Sequence, residues 1–142
     1  MRFMMLVKAS PESEAGGLPD AEGFEEMGKF NGEMVRAGIM LAADGLQASS
    51  KGARVTFSGG ESTVIDGPFT ETTELIAGYW MIEVKSKEEA VAWASRVPFQ
   101  DGQVEVRQMF EAADIPDENI TPEHRARMAA MRDELQRKAA QT

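Results

Sequence analysis

Several side chains have the types that small-molecule chemistry uses. Asp66, Glu71 and Glu74 fall within nine residues, beside Pro68 and Thr70. A carboxylate at the mouth of a pocket becomes a base when its surroundings raise its pKa. The same residues also make a good turn, with Asp66 capping loop amides, Pro68 fixing the bend and the glutamates in water. Both readings stand, and the turn requires less. Asp44 stands beside Gly45 at the end of an expected strand, as a second candidate catalytic group or as a turn residue. Tyr79, Glu83, Arg107 and Lys8 are expected on one sheet face, where they would bind a ligand together with Glu71 and Glu74 at its rim. Arg107 suits a carboxylate, because a guanidinium offers two parallel donors. In the plainer reading Arg107 satisfies Glu83 or a carboxylate of another subunit.

Other chemistries are closed off. The chain has no cysteine, which excludes disulfides, thiolate metal sites and cysteine nucleophiles. Its one histidine, His124, falls in the first turn of an expected C-terminal helix, which suits capping better than a triad. No P-loop, dinucleotide fingerprint, HExxH or GxSxG motif is present. The carboxylates match no calcium loop, so neither a metal nor a cofactor is expected. Net charge is −9, and residues 1–120 carry 10 basic against 21 acidic side chains. An acidic body repels phosphate backbones, so direct nucleic-acid binding is not expected. Residues 121–142 carry 5 basic and 3 acidic side chains, a mildly basic tail fit to meet an acidic surface. The apolar run Phe3 to Val7 is too short for a secretion signal, and no stretch approaches the roughly 20 apolar residues of a membrane span. A cytoplasmic protein without a membrane partner is the simplest expectation.

The candidate residues need elements to position them. Residues 2–8 read as a buried strand, and Ser10 to Pro19 as a loop. Asp20 is a fitting N-cap for a helix to about Ala37, with Phe24, Met27, Met34 and Val35 along one face and Gly38 as its stop. Ile39 to Ala43 reads as a strand that Asp44-Gly45 ends. Ala53 to Phe57 and Glu61 to Ile65 flank Ser58-Gly59-Gly60, a hairpin signal, and Asp66-Gly67-Pro68 ends it. Leu75 to Val84 is the clearest strand. Ser86 and Glu89 form a capping box for a helix to about Arg96, before Pro98. Val104 to Met109 is the last core strand. After a linker with Pro116, Thr121-Pro122 opens a helix with Met128, Met131 and Leu135 as a narrow apolar stripe.

Without the hairpin the order is βαββαβ, the ferredoxin-like arrangement of an α+β fold, with both helices on one sheet face. Residues 1–115 would form that domain and residues 116–142 the linker and C-terminal helix. Trp80, Ile82 and Val84 share one strand face, while Ala77, Tyr79, Met81 and Glu83 share the other. Tyr79, Met81 and Met109 then need shelter that the chain's own helices do not give. A second copy of the chain would supply it, so a homodimer is expected. Trp80 and Trp93 are expected as core anchors.

The segment IDGPFTETTELIAGYWMIEVKSKEEAVAWA resembles the signature of the DGPF branch of the YCII-related family. SSKGARVTFSGG, the opening MRFMMLVKAS and the late VEVRQMFEAADI are similar to the same family. The resemblance spans most of residues 1–115 in order. It implies a ferredoxin-like fold and a dimer whose two sheets pack as an α/β barrel. It also implies a small-molecule binder or a cofactor-free enzyme, and for some relatives a link to transcription initiation. Two departures stand out: Thr73 where relatives often carry Lys, and Gln47-Ala48 where they often carry His or Pro. A His–Asp pair used elsewhere in the superfamily has no matching histidine here. The functional expectation is a small acidic or carbonyl ligand in a dimer cavity, with acid–base chemistry that needs no cofactor. The alternative is a non-catalytic interaction module that docks through the Met128–Leu135 stripe.

Overall fold

A computed structural model describes residues 1–141, with Thr142 and the side chain of Thr73 outside that description. Within the chain, Met1–Gln108 and the segment from Met109 onward form two compact units. The first unit opens with strand β1 (Arg2–Lys8), a single helical turn α1 (Pro11–Glu14) and helix α2 (Ala21–Arg36). Strand β2 (Met40–Gly45), the hairpin β3 (Ala53–Ser58) and β4 (Glu61–Asp66), and strand β5 (Ile76–Glu83) follow. Helix α3 (Lys87–Ala94) and strand β6 (Val104–Gln108) complete it. The main sheet is antiparallel in the order β2-β5-β1-β6, and β3-β4 is a separate two-stranded sheet. This is the expected βαββαβ core with an inserted hairpin.

Local chemistry explains the ends of these elements. The Asp20 side chain accepts a hydrogen bond from the Gly23 amide at 2.8 Å, satisfying one orphan donor of α2. Gly38, at φ 73°, turns the chain out of α2 through a conformation that costs other residues more. Ser86 accepts from the Glu89 amide at 3.1 Å, and the Glu89 carboxylate reaches back to the amide of Lys85 at 2.9 Å. Gly59 and Gly60 both have positive φ, which a two-residue hairpin turn requires.

The core is one-sided. Phe3, Met5, Trp80 and Ile82 from the sheet, with Val84 just after β5, meet Phe30 and Met34 of α2 and Ala90 of α3. Phe30 stands edge-on to Trp80, with centroids 5.7 Å apart, and at an angle to Trp93 at 6.3 Å. The Trp80 indole donates to Asn31 Oδ1 at 2.8 Å, so its buried polar atom is satisfied from α2. Both helices therefore serve the same sheet face.

Four local expectations are corrected. Phe24 and Val35 lie outside the core at 56% and 62% exposure, and the buried stripe of α2 is Met27, Phe30 and Met34. The three-then-four spacing centres that stripe on Phe30, which pulls its flanking positions toward water. The Ser10 to Pro19 loop contains α1, because Ser10 and Ser13 cap each other reciprocally. Strand β2 runs on through Asp44-Gly45, paired with Tyr79 and Gly78, so those two residues are strand and not turn. Strand β6 ends at Gln108, one residue earlier than expected.

Ser49 ties three segments of the first unit together. Its amide donates to Glu14 Oε2 at 2.9 Å, its hydroxyl donates to Glu14 Oε1, and the Phe69 amide donates to that hydroxyl at 3.0 Å. These bonds hold the Glu14 carboxyl below the usual glutamate range, the hydroxyl contributing most. The backbone at Gly67 approaches so closely that a Cβ there would collide with the Ser49 carbonyl. The bond between Gly67 and Pro68 is cis.

The second unit holds helix α4 (Pro122–Gln141) and the segment before it. Arg125 donates to the Ala112 carbonyl, to the Ile115 carbonyl at 2.8 Å and to Asp117 at 2.9 Å. Arg132 pairs with Glu111 at 3.0 Å. Met131 and Leu135 of the expected stripe stay exposed.

Two substitutions test this account by urea denaturation. Met34→Ala should cost about 2–5 kcal/mol, as large-to-small core changes do, while the neighbouring Val35→Ala costs far less. Gly67→Ala should cost about 1–3 kcal/mol through overpacking against Ser49, and an unchanged midpoint would remove the close approach.

Candidate functional site

The sheet face turned away from α2 and α3 has a different character. Strand alternation puts Arg2, Met4, Leu6 and Lys8 of β1 on it, with Tyr79, Met81 and Glu83 of β5, Glu105 and Arg107 of β6, and Ala42 and Asp44 of β2. None of these is fully buried. Register builds two rows across all four strands. One is Asp44, Tyr79, Leu6, Glu105, and the next is Ala42, Met81, Met4, Arg107. Adjacent strands lie roughly 4.8 Å apart, so each row spans about 14 Å.

Polar contacts gather at one end of this face. The Tyr79 hydroxyl donates to Asp44 Oδ2 at 2.8 Å. That hydrogen bond, then burial, then the Asp44 charge push the Tyr79 pKa up from its ordinary value. Glu105 lies between two cations, with Lys8 Nζ at 3.5 Å and an Arg107 guanidinium nitrogen at 3.2 Å. Arg107, then Lys8, hold the Glu105 carboxyl below the usual range. The trio carries one more positive than negative charge. Arg107 is the exposed member of the trio, at 70%.

The structure thus brings Asp44, Tyr79, Lys8 and Arg107 to one face. Glu83 shares that face but sits opposite Arg2, at the far end from Asp44. The pairing of Glu83 with Arg107 within the chain is corrected. Strand β1 lies between their strands, and Arg107 takes Glu105 from its own strand. Glu105 was missed as a site residue, although its position two before Arg107 places it on the same strand face. Met109 falls in the second unit.

The other carboxylates lie elsewhere. Asp66 ends β4 opposite Ala53 and is exposed. Glu71 accepts from the Thr70 hydroxyl at 3.2 Å and faces Arg54 at 3.6 Å, while Arg54 also lies over the Phe69 ring at 3.9 Å. The Glu71 pKa is lowered, first by its own backbone amide and then by Thr70, the opposite of what a base requires. Glu74 is exposed in a single 3₁₀ turn. Among the described residues, no three His, Asp or Glu side chains converge as metal ligands would. No described helix is long and apolar enough to cross a membrane.

The model of the YCII-related domain matches residues 1–113, most of the chain. The chain belongs to the YCII-related family. This YCII-related protein is 32% identical to an uncharacterized protein of Rhizobium meliloti (strain 1021) over 87 residues, which cover 58% of this chain and 70% of that one. Among solved structures it is similar to a 5-chloro-2-hydroxyhydroquinone dehydrochlorinase from Burkholderia phenoliruptrix in complex with 2,5-dihydroxybenzoquinone. That similarity has a TM-score of 0.44 at 12% identity and covers 84% of this chain and 100% of that one.

Tyr79 is the sole tyrosine, so phenolate absorbance titrates it directly. Its midpoint should lie above the ordinary value of 10.0 and fall toward it in Asp44→Ala. The raised pKa means that this hydrogen bond stabilises the fold below the unfolded tyrosine pKa, and that the stabilisation disappears as pH climbs through the folded one. Identical titrations of the two proteins would disprove the Asp44 contact in solution.

Proposed function

We propose that this YCII-related protein binds a small molecule bearing a carboxylate or a carbonyl group on the open sheet face. In this reading a second copy encloses the face, so that the functional form is a homodimer. The observation that carries it is the row Asp44, Tyr79, Leu6, Glu105 with Lys8 and Arg107 beside it. It sets a carboxylate and a phenol at one edge, an apolar middle, and surplus positive charge at the other. Concave sites that recognise small ligands combine apolar walls with a few placed polar groups in this way. The same enclosure would shelter Met4, Leu6 and Met81, which are half-buried in the single chain.

The chemistry that suits this arrangement is proton transfer next to a carbonyl, without a cofactor. Arg107 or Lys8 holds the ligand's anionic oxygen. Asp44 takes the proton on the oxygen that Tyr79 does not engage, and the electron pair passes to the carbonyl oxygen. Tyr79 keeps Asp44 oriented. Asp44 and Lys8 lie on strands two spacings apart, roughly 10 Å, which a small oxo acid bridges. Asp66, Glu71 and Glu74 belong to the hairpin foot and the loop after it. They enter this reading only as residues near the entrance, as the Asp66-Gly67-Pro68-Phe69 segment of a DGPF-type protein. A cytoplasmic setting fits a cysteine-free chain of this kind.

A second reading has one observation in its favour. Met131 and Leu135 of α4 remain 63% and 67% exposed, as they would on a helix that docks on another protein. That reading makes the chain an interaction or regulatory module.

A thermal-shift panel of small carboxylic and oxo acids separates the two. At a hundredfold excess over Kd, a bound ligand stabilises by about 2.7 kcal/mol, and Arg107→Ala should lose that shift while Tyr79→Phe reduces it. If no acid stabilises the wild type, or if Arg107→Ala responds like the wild type, the binding reading fails.

A further inference from the structure

Three chain connections meet at the end of the sheet that carries Asp44, Tyr79 and Lys8. Strand β1 ends at Lys8, β2 ends at Gly45, and β5 begins at Ile76. Strand β5 lies between β2 and β1, so those two are not neighbours in the sheet. Ser49 and Glu14 join them nonetheless, across the end of β5. The carboxylate of Glu14, at the end of α1, accepts from both the hydroxyl and the amide of Ser49, just beyond β2. The Phe69 amide, from the segment that leads into β5, donates to the same hydroxyl at 3.0 Å. The Gly67 amide donates to the Gly52 carbonyl at 3.0 Å, and the Ala9 amide to the Leu75 carbonyl at 2.9 Å. One group of polar contacts therefore fastens all three connections to one another.

Strand β2 depends most on such an anchor. It is an edge strand with β5 as its neighbour, and its register shifts between Met40 and Ala42. The free end of an edge strand frays, because ladder bonds on one side alone hold it. Pairing continues as far as Leu46, whose amide donates to the Ala77 carbonyl at 2.8 Å. Only Gln47 and Ala48 separate Leu46 from Ser49. Opposite, Gly78 comes so near that a Cβ there would press on the Asp44 carbonyl at 3.1 Å. A slip of β2 at this point would displace Asp44 from Tyr79.

We infer that Ser49 and Glu14 are positioning residues of the binding face, which hold the exit of β2 so that the Asp44 carboxylate stays against the Tyr79 hydroxyl. The inference rests on the reading that has Asp44 take the ligand's proton, and it adds what keeps Asp44 in place. Hydrogen bonds to a carboxylate are about twice as strong as neutral ones. Glu14 and Ser49 are both half-buried, where water competes less for those bonds. Misplacing a reacting group by about 1 Å can cost on the order of 10²-fold in rate. A clasp removed from the chemistry therefore still governs it.

The sole tyrosine reports the outcome without any ligand. In Ser49→Ala the phenolate midpoint of Tyr79 should move most of the way from the wild-type value to that of Asp44→Ala. The thermal shift given by a bound acid should shrink with it. Glu14→Ala takes its place if Ser49→Ala does not fold. Met34→Ala loses stability in the core on the opposite side of the sheet, and it should keep the wild-type midpoint. A clasp that only stabilises the fold would lower the urea midpoint of Ser49→Ala and leave the Tyr79 titration unchanged, which overturns the inference. An equal displacement in Met34→Ala overturns it too. If no acid stabilises the wild type while Ser49→Ala still displaces the Tyr79 midpoint, the binding reading fails and the clasp stands as what orients Asp44.

Discussion

The fold depends on one constraint: both helices of the βαββαβ core pack on the same side of a single sheet. Trp80 shows how that side is closed. Its ring meets Phe30 edge-on, its indole is satisfied by Asn31, and Met5, Ile82 and Met34 fill the space around it. A buried aromatic of this size contributes more than its area alone, and its polar atom would be costly if left unpaired. Everything on the opposite side follows from what this core cannot cover. Apolar burial is worth roughly 25 cal/mol per Å², so the half-exposed Met4, Leu6 and Met81 leave stabilisation unrealised in a single chain.

The open face is nevertheless organised. Its charged groups sit at strand ends, and its apolar side chains sit in the middle of the register. Donation to Asp44 raises the Tyr79 pKa, and the two flanking cations lower that of Glu105. Solvent screens exposed ion pairs, which contribute little to folding. The core on the other side of the sheet would therefore tolerate changes in them. A face whose polar groups are not needed for stability is free to be shaped by what binds there.

The loops show a separate economy. One serine side chain and its amide join α1, the turn after β2 and the segment after the hairpin, and the tight approach at Gly67 leaves no room for a side chain. The Asp-Gly-Pro-Phe segment reads as a geometric requirement at this point. Glycine permits the contact with Ser49, and Phe69 supplies both an amide for its hydroxyl and a ring for Arg54. Asp66 belongs to the hairpin and not to a self-capped turn.

The sequence alone determined whatever depends on near neighbours in the chain. Alternation in Ile76–Glu83 separated Trp80 and Ile82 from Tyr79 and Met81. Asp20, Ser86 and Gly38 marked helix ends through bonds made within a few residues, and two glycines marked the hairpin. The βαββαβ order followed from those elements. Tertiary structure decided what depends on register. Asp44 had the composition of a turn, yet it pairs across to Tyr79 because β5 extends β2 by two residues. Phe30 and not Phe24 faces the core, because the sheet selects which part of a weak stripe is buried. Glu105 joined Lys8 because β6 lies beside β1, a neighbour 97 positions away in sequence. Local pattern sets which way a side chain points along its own strand, but the partner it meets is set by long-range pairing, which no short window of sequence records.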